Sequence, residues 1–363
     1  MAETVQARGP GAEAAASAAP AVLTTPGASF WTLVRHGSGT RRQWAWAGGW
    51  TVFIAAVATG LALTAGKTGW PLVGAILALI VLTLPYMGFL FTSLGEAVRP
   101  WMSRSPLAPA VVLLGAMGVY VVYALLTGAF DLLALVRVQA FVATPLVLVL
   151  AARGRSQVSW LDFAAIAAIW LPFNFGQINS IWTWPEGEAA YILNTPLAVD
   201  LALCLFLGLR QHPECQVRFD VKGRSLPLVV ACLLGFMVIA VPIGLGTHFL
   251  TWRPQLNVQK LVGQPLAIYF FIALPEELLF RGLVQGLLAR RTGKPILALL
   301  VASLLFGASH YHTYPAPPDL RYIGLAAVAG IFYGWTYLRT GSVATSALLH
   351  AAVDSLWELF FHI

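Results

Sequence analysis

Charge is scarce in this chain. Lys, Arg, Asp and Glu together make up 10% of its 363 residues, against about 25% in an ordinary soluble domain. Hydrophobic residues take up 58% and the mean hydropathy is +0.76, which excludes a soluble globule and points to a polytopic membrane protein. Cysteine is sparse as well. Cys204, Cys215 and Cys232 stand far apart, with neither a disulfide framework nor zinc-ligand spacing. No G-x-x-x-x-G-K-[ST] or dinucleotide fingerprint is present, so no phosphate-cradling loop is expected. An internal repeat is also lacking, which argues against an inverted-repeat carrier. No apolar run follows Arg8, so a cleaved signal peptide is not expected. Residues 1–43, rich in Ala, Gly, Pro and Thr, instead read as a disordered cytoplasmic tail. The formal charge of +7 is spread over short segments rather than one face, and nucleic acid is not expected as a partner.

What the chain does hold is a series of apolar runs long enough to cross a bilayer. They lie near 44–65, 70–94, 106–127, 132–152, 160–175, 190–209, 225–243, 265–289, 296–310, 322–338 and 342–361. The expected fold class is therefore all-α, a polytopic transmembrane helical bundle of about 11 spans. The run 160–175 is the weakest, because it is short and contains Asp162 and Pro172; 132–152 contains Arg137. With a cytoplasmic N-terminus, 16 basic residues fall inside and only Lys67, Arg253, Lys260 and Arg321 outside. That bias predicts an N-inside, C-outside chain in the cell's inner or plasma membrane. The aromatic, acidic stretch from Trp182 to Glu188 is expected to anchor at the outer interface. Residues 44–243 form an N-terminal set of helices, and the chemistry gathers in 264–363.

The densest polar cluster sits in an apolar segment, at Leu274-Pro-Glu-Glu-Leu-Leu-Phe-Arg281. Each ionised side chain within a span costs roughly 2.5–3.5 kcal/mol on insertion scales. Glu277 and Arg281 are four apart and share a helix face, so they can pair. Glu276 is turned by about 100° from Glu277 and is free to face something else. Pro275 has no N–H, so the carbonyl of Phe271 loses its helical partner and a kink is expected. An ion pair that only glues helices together would need Glu277 and Arg281 but not Glu276. Two further motifs follow. Phe306-Gly-Ala-Ser-His310 places Phe306 and His310 on one face, with small residues between them that allow close helix approach. His350-Ala-Ala-Val-Asp354 again puts two polar groups on one face. A lone histidine near a span end is ordinarily interfacial, which is the reading for His248, His362 and His312, the last with a substrate contact as the alternative, and for Tyr311 and Tyr314 beside it. Arg137, Asp162 and Asp200 are expected to pair structurally, with a place in the cavity lining as the alternative. The His310, His350 and Asp354 set, added to Glu276, Glu277 and Arg281, reads as a site.

These three motifs, in this order and in consecutive spans, resemble the CAAX-processing and bacteriocin-processing intramembrane endopeptidase family, also called the CPBP or Abi family. The run Leu338-Arg-Thr-Gly-Ser342 is similar to that family too. The likeness covers roughly 264–360, and residues 1–243 have no part in it. It implies a helical bundle with an intramembrane catalytic cavity, and hydrolysis of a peptide bond in a membrane-associated protein or peptide substrate. That substrate would be a lipidated C-terminus or a peptide precursor. By similarity, Glu276 would activate water, assisted by His310. Glu277 and Arg281 would order the first motif, and His350 with position 354 would stabilise the oxyanion. A dry cavity strengthens donors aimed at developing charge. Prenyl-protein members carry Asn where this chain has Asp354. An ionised Asp accepts only, so Asp354 would have to be protonated or else orient His350. No cofactor is expected. The alternative is a zinc site in which His310, His350 and one carboxylate such as Asp354 supply three ligands. The rivals from other classes are an ion-coupled transporter and a catalytically inactive immunity scaffold.

Overall fold

A computed structural model describes residues 38–184, 189–210, 217–312 and 318–362 of the chain. Most of the expected N-terminal tail, residues 1–37, lies outside the described residues, as do Glu186, Glu188, Cys215 and Tyr314 and the side chain of His312. Residues 41–43 are not tail but helix.

Twelve helices make up nearly all of the described structure. They are α1 (Arg41–Thr64), α2 (Gly69–Phe91), α3 (Leu94–Arg104), α4 (Ala108–Thr127), α5 (Leu132–Ala152) and α6 (Trp160–Asn174). They continue with α7 (Ala190–Arg210) and α8 (Leu226–Gly246). The last four are α9 (259–292), α10 (Pro295–Ser309), α11 (Leu320–Thr340) and α12 (Val343–Phe360). All eleven apolar runs are helical. The extra element, α3, is amphipathic and carries Glu96, Arg99 and Arg104, so its composition suits an interface rather than a crossing. Among the described residues six helices are long and apolar enough to cross a membrane alone: α1, α2, α4, α5, α7 and α8, the last counted from Gly223. The chain is an integral membrane protein. At 15 residues each, α6 and α10 fall short of the length needed.

Helix ends follow local chemistry. Thr40 and Gln43 form a reciprocal capping box at the start of α1, and Asp131 accepts from two backbone N–H groups at the start of α5. Gly341 ends α11 with φ +65°, a left-handed conformation that favours glycine. Ser342 then caps α12 by accepting from the Thr345 N–H, and its hydroxyl donates to the Asp220 carbonyl at 2.7 Å. The run Leu338–Ser342 is thus a tight corner tied to the preceding loop. In that loop Arg218 and Lys222 hold the Asp220 carboxyl below its ordinary range.

Helices packed in lipid gain little from apolar burial against one another and depend on close approach and polar contacts. Two packed clusters result. The larger joins α2, α4, α5 and α7 to α9, and reaches Ala347 and Ala351 on α12. The smaller lies among α8, α10, α11 and α12. α9 borders both. α10 and α11 meet at Gly307, where a Cβ would lie 2.7 Å from the Ala327 Cβ and from the Ile323 carbonyl oxygen. Gly307→Leu is therefore expected to destabilise the protein by about 1–3 kcal/mol, measured as a lower midpoint of thermal unfolding in detergent. An unchanged midpoint would show that α10 and α11 are not held at this distance.

Three expectations need correction. Trp182 is no interfacial anchor: it is buried, and its indole N–H donates to Asn194 Oδ1 at 2.8 Å. Arg210 is not in a solvated loop either. It is buried at the end of α7 and pairs with Asp162 at 2.6 Å, because a carboxylate inside a short helix needs a partner. Arg137 bonds the Ser180 hydroxyl rather than an acid.

Candidate active site

α9 brings the first motif to the middle of the bundle. Its turns there are wide, with i→i+5 geometry over Tyr269–Ala273 and again over Leu278–Gln285. Such turns recur at functional sites in helices. Glu277 and Arg281 are fully buried, and Arg281 Nε lies 3.2 Å from Glu277 Oε2. That distance makes an ion pair, although the N–H is not aimed well enough at the oxygen to count as a hydrogen bond. Arg281 Nη2 donates to the Gly330 carbonyl on α11 at 3.1 Å. The guanidinium also lies over the rings of Phe306 and Tyr333, at 4.7 and 5.4 Å from their centroids.

The other carboxylate oxygen of Glu277 reaches α12, where Oε1 lies 3.1 Å from His350 Nδ1. On the opposite edge of that ring, His350 Nε2 is 3.4 Å from Asp354 Oδ2 and 3.9 Å from Glu276 Oε2. Ser346 Oγ lies 2.5 Å from Glu277 Oε2 and 2.8 Å from the Tyr333 carbonyl, and its one hydrogen serves one of them at a time. Tyr333 stacks on the imidazole of His350, centroids 4.5 Å apart and planes 19° from parallel. His350 is thus held on both edges and one face.

Glu276 faces a cavity of about 410 Å³ that it shares with His310, His350 and Asp354. Glu276 Oε2 is buried and has no hydrogen-bond partner among the described residues. A buried carboxylate oxygen left in that state is costly unless water or substrate fills the gap. His310 ends α10, and its Nδ1 lies 2.8 Å from the Phe306 carbonyl. That nitrogen must carry hydrogen to bond a carbonyl, which leaves Nε2 as an acceptor. Tyr322 and Phe306 set the ring edge-to-face, each with its centroid 4.9 Å away. Glu358 lies at the same cavity's rim, with Lys260 Nζ 4.0 Å from its carboxylate.

All six expected site residues therefore meet. Glu276, His310, His350 and Asp354 line the cavity, while Glu277 and Arg281 stand behind it. Ser346, Tyr333 and Tyr322 were not anticipated. Ser346 was within reach, since 346, 350 and 354 share one helix face at a spacing of four. The two tyrosines carry no such signal, because their helix meets the site only in three dimensions. Among the described residues, no three His, Cys, Asp or Glu side chains gather as a group able to hold a metal ion. His350 Nδ1 faces Glu277 and His310 Nδ1 faces a carbonyl, so Nε2 is the nitrogen each ring turns to the rest of the site.

Residues 258–356 match the family described as type II CAAX prenyl endopeptidase, Rce1-like. The likeness is confined to this segment. The match takes in α9 to α12 almost whole and with them Glu276, Glu277, Arg281, His310, His350 and Asp354, while Glu358 and α1 to α8 lie outside it. No curated protein and no solved structure matches the chain.

Proposed function

We propose that this protein is an intramembrane endopeptidase of CAAX type that hydrolyses a peptide bond near the lipid-modified C-terminus of a membrane-associated protein. The observation that carries this reading is the unpartnered Glu276 Oε2, directed into a cavity shared with two histidines. A water in that cavity can give one hydrogen to Glu276 and the other to His310 Nε2, which directs its lone pair at the substrate carbonyl. As water attacks, Glu276 takes its proton and charge develops on the carbonyl oxygen. His350, fixed between Glu277 and Asp354, is the donor aimed at that charge. The protonated Glu276 then passes its proton to the leaving amine as the C–N bond breaks. Asp354, 3.4 Å from His350 Nε2, orients the ring and cedes that N–H to the oxyanion as charge develops, so an Asp here requires no donor role.

Each step in this reading is carried by the chain's own residues. The excess of basic residues on alternate segments, 15 against 4 once Arg210 is counted with Asp162 (16 less 1), supports a cytoplasmic N-terminus in the plasma or inner membrane. The bilayer itself is the remaining partner, delivering the lipidated substrate.

The test is cleavage by the purified full chain in liposomes. The substrate is a peptide ending in a farnesylated cysteine and three more residues, and the products are read by mass spectrometry. Release of the terminal tripeptide, unchanged after prolonged dialysis against a zinc chelator, is expected. Loss of activity on chelation with recovery on added zinc would replace the glutamate mechanism by a metal one. No cleavage, with a solute accumulated instead under a proton gradient, would sink the protease reading.

A further inference from the structure

Pro275 stands immediately before the Glu276–Glu277 pair and has no N–H to give. In the wide turn over Tyr269–Ala273, the Leu274 N–H bonds back five residues to the Tyr269 carbonyl. In that register Pro275 would serve Phe270; in an ordinary α turn it would serve Phe271. Both carbonyls are supplied from outside the helix. Tyr86 Oη on α2 donates to the Phe270 carbonyl at 2.7 Å, and Tyr191 Oη on α7 donates to the Phe271 carbonyl at 2.9 Å. Tyr86 is 1% exposed, and a buried hydroxyl and a buried carbonyl each carry a cost when left unpaired. Neither tyrosine belongs to the family-matched segment, 258–356.

The geometry points to Tyr86 and Tyr191 as positioning residues for Glu276: hydroxyls from two N-terminal helices that bond the adjacent carbonyls facing the donor gap at Pro275 and set the turn that aims the catalytic carboxylate. This rests on the reading of Glu276 as the base. The two bonds enter α9 four and five residues behind Pro275, from two different helices, so they fix both the rotation and the bend of the following turn. Tyr191 in addition borders a second, mainly apolar cavity of about 340 Å³ on the far side of Glu276. The hydroxyl group, and not the ring, is the functional part.

The test is kinetic. Tyr86→Phe and Tyr191→Phe in the full chain, assayed with the farnesylated peptide, are each expected to lower kcat about 10-fold with KM unchanged, since misplacement by about 1 Å costs on the order of 10²-fold. Pro275→Ala restores a backbone donor. In that background the tyrosine substitutions are expected to lose most of their effect, a coupling that loss of general stability would not produce. Where a Phe variant fails to fold alone, its combination with Pro275→Ala carries the comparison. Wild-type kcat in both Phe variants, or an equal loss with and without Pro275→Ala, overturns the assignment. An inactive Glu276→Gln beside fully active Phe variants would remove this inference and leave the protease reading standing. A fully active Glu276→Gln would remove both.

Discussion

Glu276→Gln is expected to lower kcat for peptide cleavage by on the order of 10²–10⁴-fold, the usual contribution of a positioned general base. At 1.36 kcal/mol per factor of ten, that is about 3–5 kcal/mol of barrier. An amide of nearly the same shape fills the same space, yet it cannot take a proton from water. The fold should survive, because Glu276 Oε2 has no hydrogen-bond partner among the described residues to lose and the side chain is a third exposed to the cavity. Both quantities are measurable on one preparation, kcat from tripeptide release and the unfolding midpoint in detergent. Wild-type kcat in this variant would end the assignment of Glu276 as the base. A collapsed midpoint would show instead that Glu276 holds the bundle together.

The second large effect is expected on stability. Arg281→Met leaves Glu277 fully buried without its cationic neighbour, and strips the Gly330 carbonyl of its donor. Removing one member of a buried pair costs roughly 3–5 kcal/mol, and here His350 and Ser346 remain as partners to Glu277, which places the loss towards the lower end. The two flanking rings lose their cation as well. A much lower unfolding midpoint and poor recovery of folded protein should follow. Adding Glu277→Gln to Arg281→Met removes the stranded charge and should restore part of the midpoint. Activity should stay low in the double variant, since His350 then loses the carboxylate that fixes its Nδ1 edge. If Arg281→Met unfolds within about 1 kcal/mol of the wild type, the pair is not what keeps α9 seated.

Glu276 and Glu277 illustrate why some roles could be assigned before others. Spacing along one helix separates their directions and pairs Glu277 with Arg281, and both hold in three dimensions. Spacing does not reveal that Glu277 also reaches His350, 73 positions away. The helix count shows the same division. Apolar runs marked all eleven segments correctly as helical, but periodicity missed α3, whose Leu94–Arg104 stretch alternates polar and apolar faces. Trp182 and Arg210 were placed by residue type at the interface and in a loop. Each is buried, because Asn194 and Asp162 satisfy its polar atoms.

The amino-acid sequence by itself determined a membrane-embedded helical chain, the three polar motifs and their family, because hydropathy and helical spacing act over a few turns and are written locally. Only the tertiary structure decided that Glu276, His310, His350 and Asp354 open on one cavity, and that Asp354 lies beside His350 Nε2. It also decided that tyrosines from α2 and α7 complete the turn at Pro275. Those contacts join residues up to 184 positions apart. They depend on how closely small residues such as Gly307 let the helices approach, and no local pattern encodes that distance.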